Sequence, residues 1–360
     1  MPTEGRLDRL KINGYKSLKK IDIEFNNINI LIGANGVGKS NFIGFFKFIR
    51  KLSQKDLELF IATQGGANRV LHFGRKTTQE LEFSILFKPN AYHATLIPDQ
   101  EDKLIFKNEY AYFYGDWKNT KYNIDNTGLK ESQLNSTIPI HKHIISHIKD
   151  WQVYHFHDTS KNSPMKQTND INDYIFLKPN ADNLAAFLYF IKKNYEKNYM
   201  KIVQSIQRVV PYFKDFSLEP EVANPNSIRL RWFYKGHEDY FDVNDLSDGS
   251  IRFICLVSLL LQPNLPTTIL LDEPELGLHP YALEVLASIF RVVSNKTQII
   301  ASTQSATFAD MFEISDIVVV DTVEDATSLT RLDEVKYKEW LDDYSIGELW
   351  QKNIIGGNPS

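Results

Sequence analysis

Eight consecutive residues near the N-terminus have the spacing of a loop that binds phosphate groups. Gly33-Ala34-Asn35-Gly36-Val37-Gly38-Lys39-Ser40 fits the pattern G-x-x-x-x-G-K-[ST]. The glycines let backbone N–H groups approach phosphate oxygens, Lys39 brings a point charge to the β- and γ-phosphates, and Ser40 offers a hydroxyl to Mg²⁺. We therefore predict a nucleotide site whose phosphate contacts come from Asn35, Gly36, Val37, Gly38, Lys39, Ser40 and Asn41.

A pair of acids follows an apolar stretch in the C-terminal half of the chain. Ile269-Leu270-Leu271 leads directly into Asp272 and Glu273. Asp272 is suited to hold Mg²⁺ through water, and Glu273 to polarise an attacking water molecule. Open α/β sheets place their chemistry at this end of their strands. With the phosphate loop, the acid pair predicts nucleotide hydrolysis.

A third stretch, Leu246-Ser247-Asp248-Gly249-Ser250, opens a strongly apolar helix. Ser247 and the Gly249 backbone can donate hydrogen bonds to a phosphate, because a helix N-terminus attracts anions. One helix N-terminus already serves the nucleotide, so this second one would serve a nucleotide bound by another copy, in a symmetric dimer. The alternative is an ordinary helix cap by Ser247.

Two kinds of sheet must position these residues. Apolar Ile28–Ile32 precedes the phosphate loop, and a helix is predicted over 41–53. In the C-terminal half, strands at 267–271, 297–302 and 316–321 alternate with helices at 280–294 and 305–312, which predicts a parallel sheet covered by helices. Alternating patterns predict an N-terminal antiparallel sheet with strands at 7–13, 21–25, 80–88, 93–97, 103–107 and 109–114. The fold class is therefore α/β.

The three motifs together resemble the ABC-type ATPase head of the RecF/SMC/OLD group. The phosphate loop is similar to the Walker A motif of that group, Leu246–Ser250 to its signature loop, and Leu271–Pro280 to its Walker B motif and D-loop. The resemblance implies a P-loop NTPase fold of ABC-ATPase type, with a mostly parallel core, an N-terminal antiparallel sheet and a helical insertion. It also implies ATP and Mg²⁺ as cofactors, with Ser40 and Asp272 at the metal.

The chain departs from the group's pattern at two positions. Asp248 replaces the first glycine of the signature loop, and Gln304 stands where the group has a switch histidine. An amide can sense the γ-phosphate but cannot take a proton, so we assign catalysis to Glu273 with Lys39, and sensing to Gln304. Gln64 and Gln79 are both candidates for the glutamine that links the two lobes.

Four segments are expected along the chain: an ATPase lobe over 1–115, a loop and helical insertion over 116–215, a second lobe over 216–335 and a docking tail over 336–360. Residues 116–136 are polar and predict a surface loop. The tail is short and aromatic, with Trp340, Tyr344 and Trp350, and would dock on a partner or on the chain's own core. The nearby acids Asp321, Glu324 and Asp325 match no nuclease motif.

The bulk composition sets the expected surroundings. With 360 residues, a net charge of −4 and one cysteine, Cys255, the chain predicts a cytoplasmic globular protein without disulfides or membrane spans. There is no global basic signal for nucleic acid. A predicted helical region over 183–213 carries a basic face, which would contact a DNA backbone or simply be solvated. That face contains Lys192, Lys193, Lys197, Lys201 and Arg208.

The resemblance also implies a mechanism and a role. Two chains, or a higher oligomer, would sandwich ATP between Lys39 and Ser40 of one copy and Ser247 of the other, and hydrolysis would reset the assembly. We expect neither coiled-coil arms nor a fused Toprim nuclease. The expected role is control of a separately encoded effector, a nuclease being the expected type, in bacterial anti-phage defence. The alternatives are a RecF-like DNA repair ATPase, an ATP-binding scaffold and a transporter ATPase.

Overall fold

A computed structural model describes residues 6–115 and 118–357. The first residue of the predicted insertion, Asp116, and residues 358–360 of the predicted tail lie outside the described part. The described strands are β1 Arg9–Tyr15, β2 Leu18–Glu24, β3 Ile28–Ile32, β4 Leu81–Phe87, β5 Asn90–Pro98, β6 Leu104–Tyr114, β7 Asn119–Ile124, β8 Val153–Tyr154, β9 Asn169–Asp170, β10 Phe213–Ser217, β11 Pro220–Glu221, β12 Asn224–Ile228, β13 Arg231–Tyr234, β14 Tyr240–Asp242, β15 Thr268–Asp272, β16 Gln298–Thr303, β17 Ile317–Val323 and β18 Ala326–Arg331.

The described helices are α1 Lys39–Ser53, α2 Leu57–Thr63, α3 Ala67–Val70, α4 Pro139–Ile148, α5 Leu184–Asn194, α6 Glu196–Val209, α7 Asp248–Leu260, α8 Pro280–Val293, α9 Ala306–Ala309, α10 Glu334–Leu341 and α11 Ile346–Gln351. Within the described ranges, none of these helices is long and apolar enough to cross a membrane.

The chain divides into two compact units. The first contains the described residues of Met1–Val153, Pro266–Asp272 and Lys296–Ser360. The second contains Tyr154–Leu265 and Glu273–Asn295.

The parallel sheet predicted from the C-terminal pattern is present, in the order β18-β17-β3-β16-β15-β8. Strands β17, β3, β16 and β15 run parallel, and β18 returns antiparallel to β17. All five residues of β3 are buried, as expected of a central parallel strand that is covered on both faces. The carboxyl ends of β3, β16 and β15 therefore share one edge of this sheet.

The N-terminal antiparallel sheet is also confirmed, in the order β2-β1-β4-β5-β6-β7. Two details differ from the predictions. Strand β6 is one continuous strand where two were predicted, and β7 lies within 116–136, which was wrongly predicted to be loop throughout. The burial pattern of β7 is mostly exposed, because it is an edge strand, so its sequence lacks the apolar alternation that marks a strand.

Helix α1 is held by an aromatic cluster in the first unit. Phe42, Phe45 and Phe48 are fully buried. The Phe45 ring meets Tyr15 edge-on at 5.1 Å and Phe83 at 5.8 Å. Aromatic pairs of this kind add to the burial of apolar area. The helix that follows the phosphate loop is thus fixed to the antiparallel sheet by large side chains.

The second unit contains α5 to α8 and two small sheets, β10-β13-β14 and β11-β12-β9. The helical region predicted over 183–213 is two helices, because Tyr195 between them leaves helical geometry at φ −139° and ψ 57°. Strands β13 and β14 pair across Trp232 and Phe241, whereas β12 belongs to the other sheet.

Candidate nucleotide-binding site

The loop between β3 and α1 has the backbone that its glycines allow. Gly36 and Gly38 lie at φ +83° and +107°, a region that side chains with a Cβ rarely adopt. A Cβ on Gly38 would lie 2.0 Å from the Thr327 hydroxyl oxygen, whereas one on Gly36 would meet nothing within 4 Å. Gly38 is therefore required by packing as well as by conformation, and Gly36 leaves the loop open.

The N-terminus of α1 is arranged to receive an anion. Among the described residues, no side chain caps this helix, and its first turn holds no acidic residue. The Lys39 ammonium donates to the carbonyl oxygens of Gly33 at 2.6 Å and Ala34 at 2.8 Å. The backbone donors and the positive end of the helix dipole thus face the loop, with a lysine folded over it.

Two side chains that sequence reasoning did not identify as parts of the site, Ser17 and Thr327, support the loop from behind. The Ser17 hydroxyl accepts a hydrogen bond from the Asn41 amide at 2.8 Å. The Thr327 hydroxyl lies 2.8 Å from Ser17 Oγ and 2.7 Å from the Val37 carbonyl oxygen. Asn41, a predicted nucleotide contact, therefore bonds to the turn between β1 and β2. Thr327 lies on β18, and its distance along the chain left no local signal.

The turn between β1 and β2 also distinguishes between Gln64 and Gln79 as candidates for the lobe-linking glutamine. Lys16, in that turn, donates to the Gln64 side-chain oxygen at 2.9 Å. Burial, together with the nearby charge of Lys47, lowers the pKa of Lys16. Gln79 is exposed. Gln64 is thus the candidate that reaches the turn behind the phosphate loop.

The acid pair lies at the carboxyl end of β15. Asp272 pairs in register with Ser302 of β16, and the Ser302 hydroxyl donates a hydrogen bond to its carboxylate. Glu273 follows at φ +47°, which is uncommon for a residue with a side chain. Such backbone strain is frequently stored at functional sites.

Strand β16 brings Gln304 to the same edge of the sheet. Thr303, its last residue, pairs in register with Ile32, the residue before the phosphate loop. Gln304 comes next and precedes α9, whose N-terminus is capped by Ser305 through the Phe308 N–H at 3.1 Å. The ends of β3, β16 and β15 therefore carry the start of the phosphate loop, Gln304 and Asp272 as neighbours in strand order.

The third motif lies in the second unit. Ser247 caps α7 by accepting the Ser250 N–H at 3.2 Å, so the predicted ordinary cap is present. A Cβ on Gly249 would lie 2.5 Å from the Gly277 carbonyl oxygen, so the backbones of these two loops are in close contact. Arg252 of α7 donates to the Leu276 carbonyl at 3.2 Å. The 246–250 loop and the loop after Glu273 thus form one cluster.

An acid and a buried lysine meet at the start of α7. Asp248, in the first turn, lies 3.7 Å from the Lys166 ammonium. The side chain of Lys166 is only 6% exposed, against 65% for Asp248. The residue that replaces the usual glycine thus has a cationic partner, which the sequence pattern did not indicate.

The end of the described chain packs on its own core. Leu349 and Trp350 are buried, whereas Trp340 remains 45% exposed. Asp321, an acid without an assigned motif, accepts the Gly357 N–H at 3.0 Å. Glu324 and Asp325 both have positive φ and form the tight turn between β17 and β18. Of the two docking alternatives, Trp350 fits the chain's own core.

The fold is shared with solved SMC head domains. An SMC head bound to the C-winged helix domain of ScpA is 14% identical, with a TM-score of 0.58, over 93% of this chain and 99% of that one. An SMC head with an extended coiled coil, bound to the C-terminal domain of ScpA derived from Pyrococcus furiosus, is 14% identical with a TM-score of 0.56, over 94% and 99%. These likenesses confirm the predicted fold class, an α/β P-loop ATPase head.

No curated protein sequence gives a significant match. A family model does, and it covers residues 28–310, from β3 through the acid pair and Gln304 to the end of α9. The chain therefore belongs to the AAA-domain family described as "AAA domain, putative AbiEii toxin, Type IV TA system".

Proposed function

We propose that this protein binds and hydrolyses ATP with Mg²⁺, dimerises around the nucleotide, and controls a separately encoded effector, a nuclease, in bacterial anti-phage defence. The observation that carries the ATPase part is the sheet edge formed by β3, β16 and β15. Parallel strands that end together offer a binding crevice at their carboxyl ends. Here the three ends carry the phosphate loop, Gln304 and Asp272.

The nucleotide contacts follow from the geometry of α1. The backbone N–H groups from Asn35 to Asn41 would bind the phosphates, as in other helix N-termini that follow a glycine loop. Lys39 would exchange the carbonyl oxygens of Gly33 and Ala34 for the β- and γ-phosphate oxygens. This exchange replaces two neutral acceptors with charged ones, so the hydrogen bonds become stronger.

Ser40 and Asp272 fit a Mg²⁺ ion by their chemistry. Both supply oxygen, the donor that Mg²⁺ prefers, and both side chains are at least partly accessible. Bound Mg²⁺ would neutralise charge on the phosphates. The Ser302 hydroxyl holds the Asp272 carboxylate in place, a supporting contact of the kind that orients metal ligands.

Glu273 and Gln304 have separate roles in this proposal. Glu273 is the general base that orients and polarises the attacking water. Its φ of +47°, directly after β15, is an uncommon backbone conformation of the kind that clusters at functional sites. Gln304 senses the γ-phosphate through its amide. Gln64 is the lobe-linking glutamine, because its partner Lys16 lies in the turn behind the phosphate loop.

The second copy of the chain would complete each site with Ser247 and Gly249. Their loop lies against Gly277 and is tied to Leu276 by Arg252, so it moves with the loop that follows Glu273. In a symmetric dimer each copy gives and receives the same contact. Binding of one nucleotide by two chains links ATP occupancy to assembly.

The role in defence rests on the family and on the fold. The family description names a putative toxin of a toxin–antitoxin system, a class in which separate proteins act together. Both of the similar SMC heads carry a bound domain of ScpA, so heads of this fold are seen with a protein partner. We infer a protein effector for this head as well.

The RecF-like alternative has one observation in its favour. Helices α5 and α6 present Lys193, Lys197, Lys201 and Arg208 as exposed residues. Lys192, by contrast, bonds to Asp215 at 3.3 Å. A row of exposed cations suits a DNA backbone. DNA-stimulated ATP hydrolysis that depends on these four residues would favour this alternative over an effector.

The ATPase proposal is tested by Glu273→Gln. We expect ATP binding to persist, hydrolysis to fall by about 10²- to 10⁴-fold, and an ATP-bound dimer to accumulate in light scattering. Glu284→Gln, at an exposed position on α8, is the matched control and should behave as wild type. A Glu273→Gln chain that binds ATP and remains monomeric would contradict the sandwich dimer.

The effector proposal is tested by mass spectrometry of chains that co-purify with the protein expressed from its native operon. A nuclease at equal stoichiometry is the expected result. A chain that purifies alone and whose ATPase is stimulated by DNA would support the RecF-like alternative instead.

A further inference from the structure

We propose that residues 345–357, here called the strap, position the phosphate loop and thereby set the affinity for nucleotide. This inference deepens the proposed function and rests on it. The strap comprises Ser345, α11 and the residues up to Gly357, all within the first unit. The motifs assign nothing to these residues, and the family model ends at residue 310.

The far end of the strap bonds directly to the phosphate loop. The Gly357 carbonyl oxygen accepts the Ala34 N–H at 2.8 Å, and it also accepts the Trp350 indole N–H at 3.1 Å. The Gly357 N–H donates to Asp321 at 3.0 Å. Gly357 is thus held on both sides while its carbonyl reaches the first peptide of the loop.

That peptide unit also accepts a hydrogen bond from Lys39. The peptide unit between Gly33 and Ala34 donates its N–H to Gly357 and accepts the Lys39 ammonium on its C=O at 2.6 Å. When ATP draws Lys39 toward the phosphates, this unit loses that bond, and the bond to Gly357 remains. The strap therefore fixes the start of the loop in the state in which the loop must wrap phosphate. A loop ordered in advance costs less entropy on binding.

The contact leaves no room for a side chain. A Cβ on Gly357, which lies at φ +76°, would be 2.8 Å from a Val319 methyl and 3.5 Å from the Gly33 Cα. On the other side, a Cβ on Gly33 would be 2.3 Å from the Val320 carbonyl oxygen. Two glycine backbones and the middle of β17, at Val319 and Val320, are therefore packed together, which couples movement of the strap to movement of the loop.

The helix of the strap, α11, lies against α9, the helix that follows β16 and Gln304. Asp310, at the end of α9, accepts the Gly347 N–H at 2.5 Å, and a Cβ on Gly347 would be 2.9 Å from the Ala306 carbonyl oxygen. Helix α9 begins two residues after Gln304. The strap thus contacts both the start of the phosphate loop and α9, the helix that follows Gln304. Within the strap, the Trp350 indole bonds α11 to Gly357.

The test is Trp350→Phe, which removes the indole N–H donor and keeps an aromatic ring in a buried site. Trp340→Phe makes the same chemical change at a half-exposed tryptophan that lies outside the strap. Calorimetry on the full chain should show that Trp350→Phe raises the Kd for both ATP and ADP about three- to tenfold, the range expected for one buried hydrogen bond. Trp340→Phe should bind as wild type.

Comparison of KM with kcat distinguishes a role in positioning the phosphate loop from a general loss of structure. Because the Trp350 indole bonds to Gly357, which bonds to the first peptide of the loop, we expect KM to rise with Kd while kcat stays within about twofold. Asp321→Ala, which removes the acceptor of the Gly357 N–H, should give the same split and serves if Trp350→Phe does not fold. Thermal unfolding of each variant checks that the fold is retained.

The outcomes distinguish this inference from the proposed function. Wild-type nucleotide affinity in folded Trp350→Phe and Asp321→Ala chains would overturn the strap and leave the ATPase proposal intact. A lower kcat without a change in Kd would overturn it as well. A wild-type chain that binds no ATP would contradict the proposed function, and the strap with it.

Discussion

Two helices of this chain begin at sequences that predict phosphate binding, and their first turns differ. In the described structure, α1 has no capping side chain and no acid in its first turn, and Lys39 lies over the loop before it. Helix α7 is capped by Ser247 and carries Asp248 in its first turn. Both termini have the partial positive charge of a helix dipole, but of the two only α7 has a side-chain cap and an acid in its first turn.

The difference lies in the contacts that an incoming phosphate would meet at each helix N-terminus. At α1 no side-chain cap occupies the first turn, and the Lys39 ammonium already lies at the carbonyl oxygens of the loop that would wrap the phosphates. At α7 a phosphate would have to compete with the Ser247 cap and with the carboxylate of Asp248, which itself pairs with Lys166. In the proposed dimer, α1 would therefore set nucleotide affinity, and α7 would add a weaker contact that forms only when two chains meet.

The largest effect is expected from Lys39→Ala, which removes the cation of the phosphate loop at the start of α1. The loss of charge-assisted bonds to phosphate should raise the Kd for ATP by about tenfold to several hundredfold. Calorimetry with MgATP measures it. Lys47→Ala, at an exposed position of the same helix, is the control for a general charge effect. Unchanged affinity in Lys39→Ala would refute the assignment of the phosphate loop.

The phosphate loop and the start of α1 could be predicted because their signal is local in the sequence. The glycines, the lysine and the flanking strand and helix are contiguous, and Gly38, one of the two glycines that the pattern requires, has a positive φ. The acids after β15 were similarly readable, since an apolar run that ends in carboxylates marks a buried strand and its end. These features depend on residues that are neighbours in sequence.

The supports of the site could not be predicted for the opposite reason. Thr327 reaches Ser17 and Val37, and Gly357 reaches Ala34, across most of the length of the chain. A single threonine or glycine carries no periodic signal, and its role appears only when β18 and the strap are folded against the loop. The pairing of Asp248 with Lys166 was missed in the same way, because Lys166 lies far from Asp248 in sequence, at the end of a single 3-10 turn over Pro164–Lys166.

Ser247→Ala removes the cap and makes the start of α7 resemble the uncapped start of α1. Loss of a serine cap should reduce the free energy of unfolding by about 1 kcal/mol, measurable by denaturant titration. Nucleotide affinity of the single chain should not change, because α1 sets it. Ser247→Thr retains a hydroxyl cap and is the control. A Ser247→Ala chain that binds ATP several-fold more weakly as a monomer would contradict the division of roles.

The smallest effect is expected from Asp248→Asn, which sharpens the comparison by removing charge alone. A carboxylate in the first turn of α7 opposes an incoming phosphate. Its removal should therefore strengthen ATP-dependent dimerisation of the Glu273→Gln chain by about two- to fivefold per site, the scale of one charge at a helix end. Light scattering at low salt measures it, with Asp239→Asn, an exposed change elsewhere in the second unit, as the control.

The sign of that result and its salt dependence decide between two accounts of Asp248. If the acid only opposes phosphate, the gain should shrink as salt rises, because screening weakens exposed charges over distances of about 10 Å at 0.1 M. If Asp248 instead serves by holding Lys166, its removal would release a buried cation without a partner and weaken the dimer at every salt concentration. Because Lys166 is the buried member of the pair and Asp248 the exposed one, we expect the lysine to turn to the phosphate once the carboxylate is gone. The start of α7 would then resemble that of α1 in function: a helix N-terminus with a lysine beside it and no competing acid.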